Sequence, residues 1–503
     1  MTESKKLESV FTLSGVPDFT FVEPQEYTRL FVALRTKGRG IVIEGPSGIG
    51  KTTCVLKALE RLGLNSEEVS ILSARKKKDV QKIQDIINQG EGFGTVLIDD
   101  FHKLDDNKKT SLSNLLKTLA DEGDENSKLV IIGINKTGHS LLTYSSDLRN
   151  RIDIIKFEAN SEEKLEELLE KGESALNIKI NVKNEIVSES QGSFHIAQML
   201  AHHACLKSGI TEERAELTET SVSFETLKEF ILDDLSISFD ALVINFCKGQ
   251  RVKKGSRAPY FHVLYWLSKS STMDLIISDE LNRNPKHKNS VGQILTKNHL
   301  IDHFLSNPSY SEVIFYNNET TGISVEDPKF FYYIKNLAWA KVAKKIGFHA
   351  IEFKSTYDFA LSFAGAEREY AEYLFKKLAE NEMSVFYDFN EQSRILSNNV
   401  EEYLAPIYRA DSQFIIPILS SHYPTRIWCK FEADQFKIRF GENAIIPLRL
   451  SDCTVGMFDE SNGVGGFTLD VNAEINPQLD KFANILADKI HDLRAEEMAE
   501  EGC

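Results

Sequence analysis

Residues 45–52 read Gly-Pro-Ser-Gly-Ile-Gly-Lys-Thr, a full match to the phosphate-binding pattern G-x-x-x-x-G-K-[ST]. No other stretch constrains the fold as tightly, because the pattern works only where a strand runs into a glycine-rich turn and a helix runs out of it. Both flanks comply. Gly38-Arg-Gly-Ile-Val-Ile-Glu44 contains a short apolar strand, and Thr52-Thr-Cys-Val-Leu-Lys-Ala-Leu59 reads as a helix. Glycines let the backbone curl so that amide N–H groups and the helix N-terminus face negative charge. The ligand called for is a nucleoside triphosphate, ATP, with Mg2+. Gly45, Pro46, Ser47, Gly48, Ile49 and Gly50 form its cradle, with Thr53 beside it; Lys51 reaches the β- and γ-phosphates, and the Thr52 hydroxyl holds the metal.

A cradle needs a second motif. Val96-Leu-Ile-Asp-Asp100 supplies a buried strand ending in two carboxylates. Asp99 is placed beside Mg2+ through water, and Asp100 is placed to polarise an attacking water. Thr52 and Asp99 are therefore the candidate metal-site residues.

At 503 residues the chain exceeds a single core, and about 150 residues per domain predicts three or four domains. Short β-branched strands alternate with helices up to about residue 158, the pattern of a parallel α/β sheet: Ile41–Glu44, Val69–Leu72, Thr95–Asp99, Lys128–Ile134 and Ile152–Phe157. Residues 159–239 read as helical. Residues 240–347 read as three helices (Tyr260–Ser268, Leu275–Leu281, Val291–Phe304) and a hairpin (Val313–Tyr316, Ile323–Val325), which suggests a winged helix. Alternating strands and helices return over 348–495: Tyr357–Phe363, Tyr370–Glu380, Ser384–Tyr387, Gln413–Leu419 and Ala444–Leu448. Residues 496–503 form an acidic tail, read as a frayed helix end. No solenoid-type repeat is visible.

Composition narrows the functional classes. No run of about 18 apolar residues exists, so no membrane-spanning helix or membrane partner is expected. The N-terminus lacks the apolar core of a signal peptide. Six cysteines are scattered without a C-x-x-C pair, as suits reduced thiols and a cytoplasmic location. A net charge of −16 argues against nonspecific nucleic-acid binding as the main activity. The basic stretch Arg75-Lys-Lys-Lys78 reads first as a solvated face.

The order of phosphate loop, Asp-Asp strand, polar strand end, arginine segment, helical region and winged helix resembles AAA+ ATPases, and within them the STAND branch of NLR-type immune receptors. The resemblance covers roughly residues 15–345. It implies a switch that is compact with ADP or empty and assembles into a homo-oligomer with ATP. It also places Asn135 as a sensor of the γ-phosphate. Arg149 or Arg151, in Asp147-Leu-Arg-Asn-Arg151, is the candidate arginine entering a neighbouring subunit's site, with a surface salt bridge as the alternative for each. His195, in Gln191-Gly-Ser-Phe-His195, is a candidate lid residue touching phosphate. In this setting the winged helix packs against the nucleotide domain more often than it reads DNA, for which Lys286-His-Lys288 would be the contacts.

The C-terminal region resembles a TIR domain, with the flavodoxin-like fold that implies. The resemblance rests on Tyr357-Asp-Phe-Ala-Leu-Ser-Phe-Ala-Gly365, Val385-Phe-Tyr-Asp-Phe389 and the stretch Ser420–Glu432, where Trp428 and Glu432 stand four residues apart. It implies that Glu432 is the catalytic acid of an NAD+-splitting enzyme, with Phe363, Ala364 and Gly365 near the nicotinamide end, Asp388 near the second loop, and Trp428 either beside the substrate or in the core. One carboxylate suffices, because nicotinamide leaves as a neutral amine without protonation. Ile395-Leu-Ser-Asn-Asn399 departs from the Gly-rich segment of many relatives, which puts the assembly geometry in question. The leading expectation is a prokaryotic anti-phage defence protein that depletes NAD+ by abortive infection, triggered by an unidentified protein or nucleic acid. The alternatives are a non-enzymatic TIR scaffold that recruits a partner effector and a winged-helix transcription regulator.

Overall fold

Successive side chains of a strand point to opposite faces, so a strand buried on both sides needs apolar residues at every position. Strand β1 (Gly40–Glu44) shows this. Ile41 and Ile43 enter one core with Leu97, Val130, Cys54 and Leu59, while Val42 enters another with Val96, Ile98, Ile131 and Leu116. The computed structural model describes residues 4–64, 69–133, 151–250, 253–388, 400–423, 427–453 and 463–501. The chain divides into two units, one of Met1–Phe239 with Glu312–Phe315 and Ser324–Tyr333, the other of Asp240–Ser311, Tyr316–Ile323 and Ile334–Cys503.

In the first unit β1 joins β2 (Val69–Ser73), β3 (Gly94–Asp99), β4 (Ser127–Gly133) and β5 (Ile152–Lys156) in a parallel sheet of order β2-β3-β4-β1-β5. Helices cover both faces: Tyr27–Arg35 and Lys51–Arg61 on one, Lys77–Gln89 and Asp106–Glu122 on the other. Residues 159–239 are mostly helical, but the all-helical expectation misses a short parallel pair, β6 (Ile178–Lys179) and β7 (Thr218–Glu219). The helix Phe224–Lys248 runs unbroken through position 239.

The winged-helix region has helix Pro259–Lys269 as expected. Leu275–Leu281 is not one helix: its start pairs as strand β8 (Asp274–Ile276) and its remainder lies in helix Ile277–Arg283. Val291–Phe304 is likewise two helices, Val291–Thr296 and His299–Ser306, because Asn298 adopts a left-handed conformation (φ 59°) that ends the first. The hairpin is β9 (Ile314–Asn317) and β10 (Gly322–Val325), and β10 lies between β8 and β9.

The C-terminal sheet has order β12-β11-β13-β14-β15, built from β11 (Tyr357–Phe363), β12 (Val385–Phe386), β13 (Ser412–Leu419), β14 (Leu448–Leu450) and β15 (Phe467–Leu469), all parallel. This is the flavodoxin-like 2-1-3-4-5 arrangement, whose strand order reverses between β11 and β13. Ala444–Leu448 does not form the fourth strand; Ile445 makes a single bridge to Ile415, and the strand begins at Leu448. Helices Arg368–Glu380 and Ile475–Glu501 pack on one face through Leu374, Leu378, Phe482 and Leu486. The last helix continues through the acidic residues as far as Glu501. No helix among the described residues is long and apolar enough to cross a membrane.

Candidate functional sites

The phosphate loop leaves β1 and enters helix Lys51–Arg61 through Gly50, whose φ of 92° suits glycine. Gly48 is also left-handed (φ 75°), and a Cβ there would sit 2.5 Å from Pro328 Cγ. Its carbonyl accepts the backbone N–H of His195 at 3.1 Å and the Ser193 hydroxyl at 3.3 Å. The start of helix Phe194–Lys207 is thereby docked on the loop. Burial holds the His195 imidazole below its ordinary pKa, with Lys329 reinforcing this and Asp327 opposing it.

Lys51 is 9 % exposed and donates to the Gly45 and Pro46 carbonyls at 2.8 and 2.6 Å. Burial lowers its pKa to about 8, against the charges of Asp99 and Asp100. The Thr52 hydroxyl donates to Asp99 Oδ2 at 2.8 Å, so the two candidate metal-site residues already touch. Burial, followed by the charge of Asp100, raises the Asp99 pKa. The Asp99 carboxyl, pushed toward protonation and standing beside Asp100 and a threonine hydroxyl, fits a divalent cation with oxygen ligands. Asp100 is turned (φ 58°) to take the Ser73 hydroxyl at 3.0 Å and Arg75 Nε at 2.9 Å.

Two cavities adjoin the loop. One is lined by Ser47, Lys51, Thr52, Asp99, Asp100, Arg75, His102 and Glu326, and suits phosphates and a metal. The other, between Pro17, Phe21, Val22, Phe194, His195 and the loop residues Gly48, Gly50 and Thr53, offers the mixed apolar lining that a nucleoside needs. Sequence reading did not find Glu326, which follows β10 and has a side chain only 1 % exposed. Arg75 Nη2, His102 Nε2 and Lys103 Nζ meet its carboxylate at 2.7, 2.7 and 2.8 Å. Burial pushes Glu326 up, but His102 and Lys103 outweigh it and leave the pKa below the ordinary value. Arg75 is thus engaged in the site rather than part of a solvated face. Arg151 pairs with Asp121 at 2.8 Å. Asn135 and Arg149 lie outside the described residues.

In the C-terminal sheet the strands end at their carboxyl edge in Ser362, Phe363 and Leu419, beside the reversal of strand order where such folds bind ligands. Glu432, on helix Ile427–Phe436, is 8 % exposed and accepts the Ser362 hydroxyl on Oε2. Burial pushes its pKa up to about 8; the Ser362 and Tyr408 hydroxyls oppose this and the charge of Asp388 adds to it. Phe363 stacks on Tyr387 with centroids 5.6 Å apart, and the Arg368 guanidinium lies 5.3 Å over its ring. Arg368 also approaches Asp388 at 3.6 Å. Phe363, Asp388 and Glu432 are therefore gathered, along with Arg368, Tyr387, Tyr408 and Tyr423, which sequence reading did not single out. Ala364 is buried with Leu419, Tyr423 and Cys429, so its methyl belongs to the core and only its backbone is left for a ligand. Gly365 opens the turn Gly365–Glu367, where Glu367 takes His422 Nδ1 at 3.0 Å. Trp428 lies on the same helix as Glu432. The loop at 389–399 is outside the described residues.

Residues 41–160 match the family model of AAA, the ATPase family associated with various cellular activities, and residues 359–474 match that of the TIR domain. A curated relative, the 3' cyclic ADP-D-ribose synthase AaTIR of Aquimarina amphilecti, is 34 % identical over 102 residues. The match takes in 20 % of this chain and spans 31 % of that protein's length. Solved structures with slight likeness include the Thermotoga maritima RuvB Holliday junction branch migration motor, at 18 % identity and TM-score 0.34 over 49 % of this chain and 86 % of that one. The Aeropyrum pernix ORC2 protein is 13 % identical with TM-score 0.35, over 68 % and 99 % of the two chains.

Proposed function

From a chain that carries both an AAA-type ATPase domain and a TIR domain, we propose an ATP-controlled defence protein whose TIR domain cleaves NAD+. The observation that carries this reading is the Glu432 carboxyl, buried beside the carboxyl edge of the sheet and fixed by the Ser362 hydroxyl. A carboxyl held up to about 8 is neutral at neutral pH. A cation brought against it favours its ionised form. NAD+ brings that cation, because its nicotinamide ring is positively charged.

The chemistry then needs no second acid. The bond between ribose C1' and the nicotinamide nitrogen breaks, its electron pair goes to the ring nitrogen, and nicotinamide leaves neutral. The Glu432 carboxylate stabilises the oxocarbenium ribose left behind. Water adding at C1' gives ADP-ribose and attack by a hydroxyl of the same molecule gives a cyclic form, the product class in the name of the Aquimarina relative; in either case the attacking oxygen loses a proton to the Glu432 carboxylate or to solvent.

The phosphate loop is the control end. Lys51 and the loop amides hold the phosphates, Thr52 and Asp99 hold Mg2+, and the metal when bound supplies positive charge against the phosphate oxygens. Glu326, already bound to Arg75, His102 and Lys103 in the phosphate cavity, gives the γ-phosphate a competitor to displace. With ATP in place, TIR domains assemble as homo-oligomers. A trigger protein or nucleic acid sets when this happens. Chromatography of NAD+ products with and without ATP, alongside particle size, tests the reading. Assembly without nicotinamide release would make the TIR domain a scaffold instead.

A further inference from the structure

Glu432 is placed by Ser362 and Tyr423, which lie in the segments that resemble a TIR domain but to which that resemblance gave no role. The Ser362 hydroxyl has one proton, which goes to Glu432 Oε2. Its remaining capacity is as an acceptor, and the Tyr423 hydroxyl, fully buried, is bonded to it. Tyr408, also buried, donates to the Leu361 carbonyl at 3.0 Å and adjoins the same carboxyl. The hydroxyls thus run in one direction, Tyr423 to Ser362 to Glu432, from three separate segments of the chain.

We infer that Ser362 and Tyr423 are positioning residues for the NAD+ reaction, a hydroxyl relay that fixes the rotamer of Glu432 and favours its carboxylate over its acid form. The inference rests on the proposed NAD+ cleavage. A serine hydroxyl donates more strongly to a carboxylate than to the neutral acid, so its bond favours the ionised state, and a tyrosine donating to that serine strengthens it. The relay is set against burial and Asp388, both of which favour the protonated acid; the Arg368 guanidinium beside Asp388 moderates the second. Beyond the relay stands the Glu367–His422 pair, whose histidine adjoins Tyr423 in sequence. Phe363, next after Ser362, faces Tyr387 and Arg368, so the strand end that holds Glu432 also carries the ring proposed for the nicotinamide side.

The test is the pH dependence of NAD+ cleavage by the full chain with ATP and Mg2+, for wild type, Ser362→Ala, Ser362→Thr, Tyr423→Phe and Glu432→Ala. Ser362→Ala should lower kcat about tenfold near pH 7 and move the acid limb of kcat/KM up by about one pH unit, with KM changed less than about twofold. Ser362→Thr, which keeps the hydroxyl, should restore both. Tyr423→Phe should move the limb the same way by less. A Ser362→Ala limb that coincides with wild type overturns the relay, whatever the loss of rate. If Ser362→Ala does not fold, the Tyr423→Phe limb decides: a shift supports the relay and no shift overturns it. Glu432→Ala separates the two levels. NAD+ loss persisting in that variant removes the underlying reading, whereas its abolition with an unmoved Ser362→Ala limb removes the relay alone.

Discussion

Arg75 Nη2 lies 2.7 Å from Glu326 Oε2, in the cavity that also holds Lys51, Thr52 and Asp99. A side chain 224 residues beyond His102 thus supplies an internal anion beside the phosphate loop. Hydrogen bonds to charged groups contribute about 1.5–3 kcal/mol each, enough for an arriving phosphate to feel their prior occupation. Glu326→Gln should therefore favour ATP over ADP by about tenfold more than wild type does, read as the ratio of the two Kd values in a fluorescent-nucleotide titration. An unchanged ratio would mean that the carboxylate does not compete with the γ-phosphate.

Lys51 gives a pH dependence of known sign. Burial lowers its pKa to about 8, and phosphates bound beside it raise it again, so ATP binding above that pH takes up a proton. ATP affinity should be flat from pH 7 to 8 and then weaken, approaching tenfold per unit. Calorimetric titration in buffers of different ionisation enthalpy reads both the affinity and the proton. Lys51→Ala should bind weakly at every pH and show no such bend.

Glu432 should cost the TIR domain stability as it ionises. Its folded pKa of about 8 stands above the ordinary 4.5, so between those values the unfolded chain loses its proton first and stability falls as pH rises. The loss is about 5 kcal/mol at most, and less where the site relaxes. Glu432→Gln should match wild type in Tm near pH 5 and exceed it by several degrees at pH 8.5. Parallel Tm curves for the two proteins would contradict this placement of the carboxyl.

How much of this could be read from the chain depends on the range of the interaction. The phosphate loop, the Asp99–Asp100 pair and most strands of both sheets are local patterns, and the structure has them within a residue or two; β14 starts later than expected, and β15 (Phe467–Leu469) has no counterpart in the sequence reading. Leu275-Ile-Ile-Ser-Asp is too short for its apolar period to separate strand from helix, so the β8 start was misread. The helix break at Asn298 is a single left-handed residue within an otherwise continuous pattern. Glu326, Ser362 and Tyr423 were missed for a different reason. Each acts through a partner 61 to 251 residues away, and neither periodicity nor spacing carries such a pairing.

Asp358 is a structural counterpart to Glu432 on the same sheet. It accepts Arg257 Nη2 at 2.8 Å, Arg494 Nη2 at 2.5 Å and the Ser384 N–H at 2.8 Å, all buried. Burial pushes its carboxyl up, but Arg257 and then Arg494 outweigh it and hold the pKa below the ordinary value. Asp358→Asn leaves two buried guanidiniums without a counter-charge and should destabilise the protein by about 3–5 kcal/mol. Scanning calorimetry should show the loss in the transition of the unit containing the TIR sheet. Unchanged unfolding would show that the cluster is solvated in solution.

The most direct measurement is nicotinamide released from NAD+ by the full chain with ATP and Mg2+, resolved by chromatography, in wild type, Lys51→Ala and Glu432→Ala. Wild type should release nicotinamide, Lys51→Ala should lose both release and assembly, and Glu432→Ala should release none despite normal ATP binding. Release by Glu432→Ala at the wild-type rate would contradict the catalytic role of Glu432.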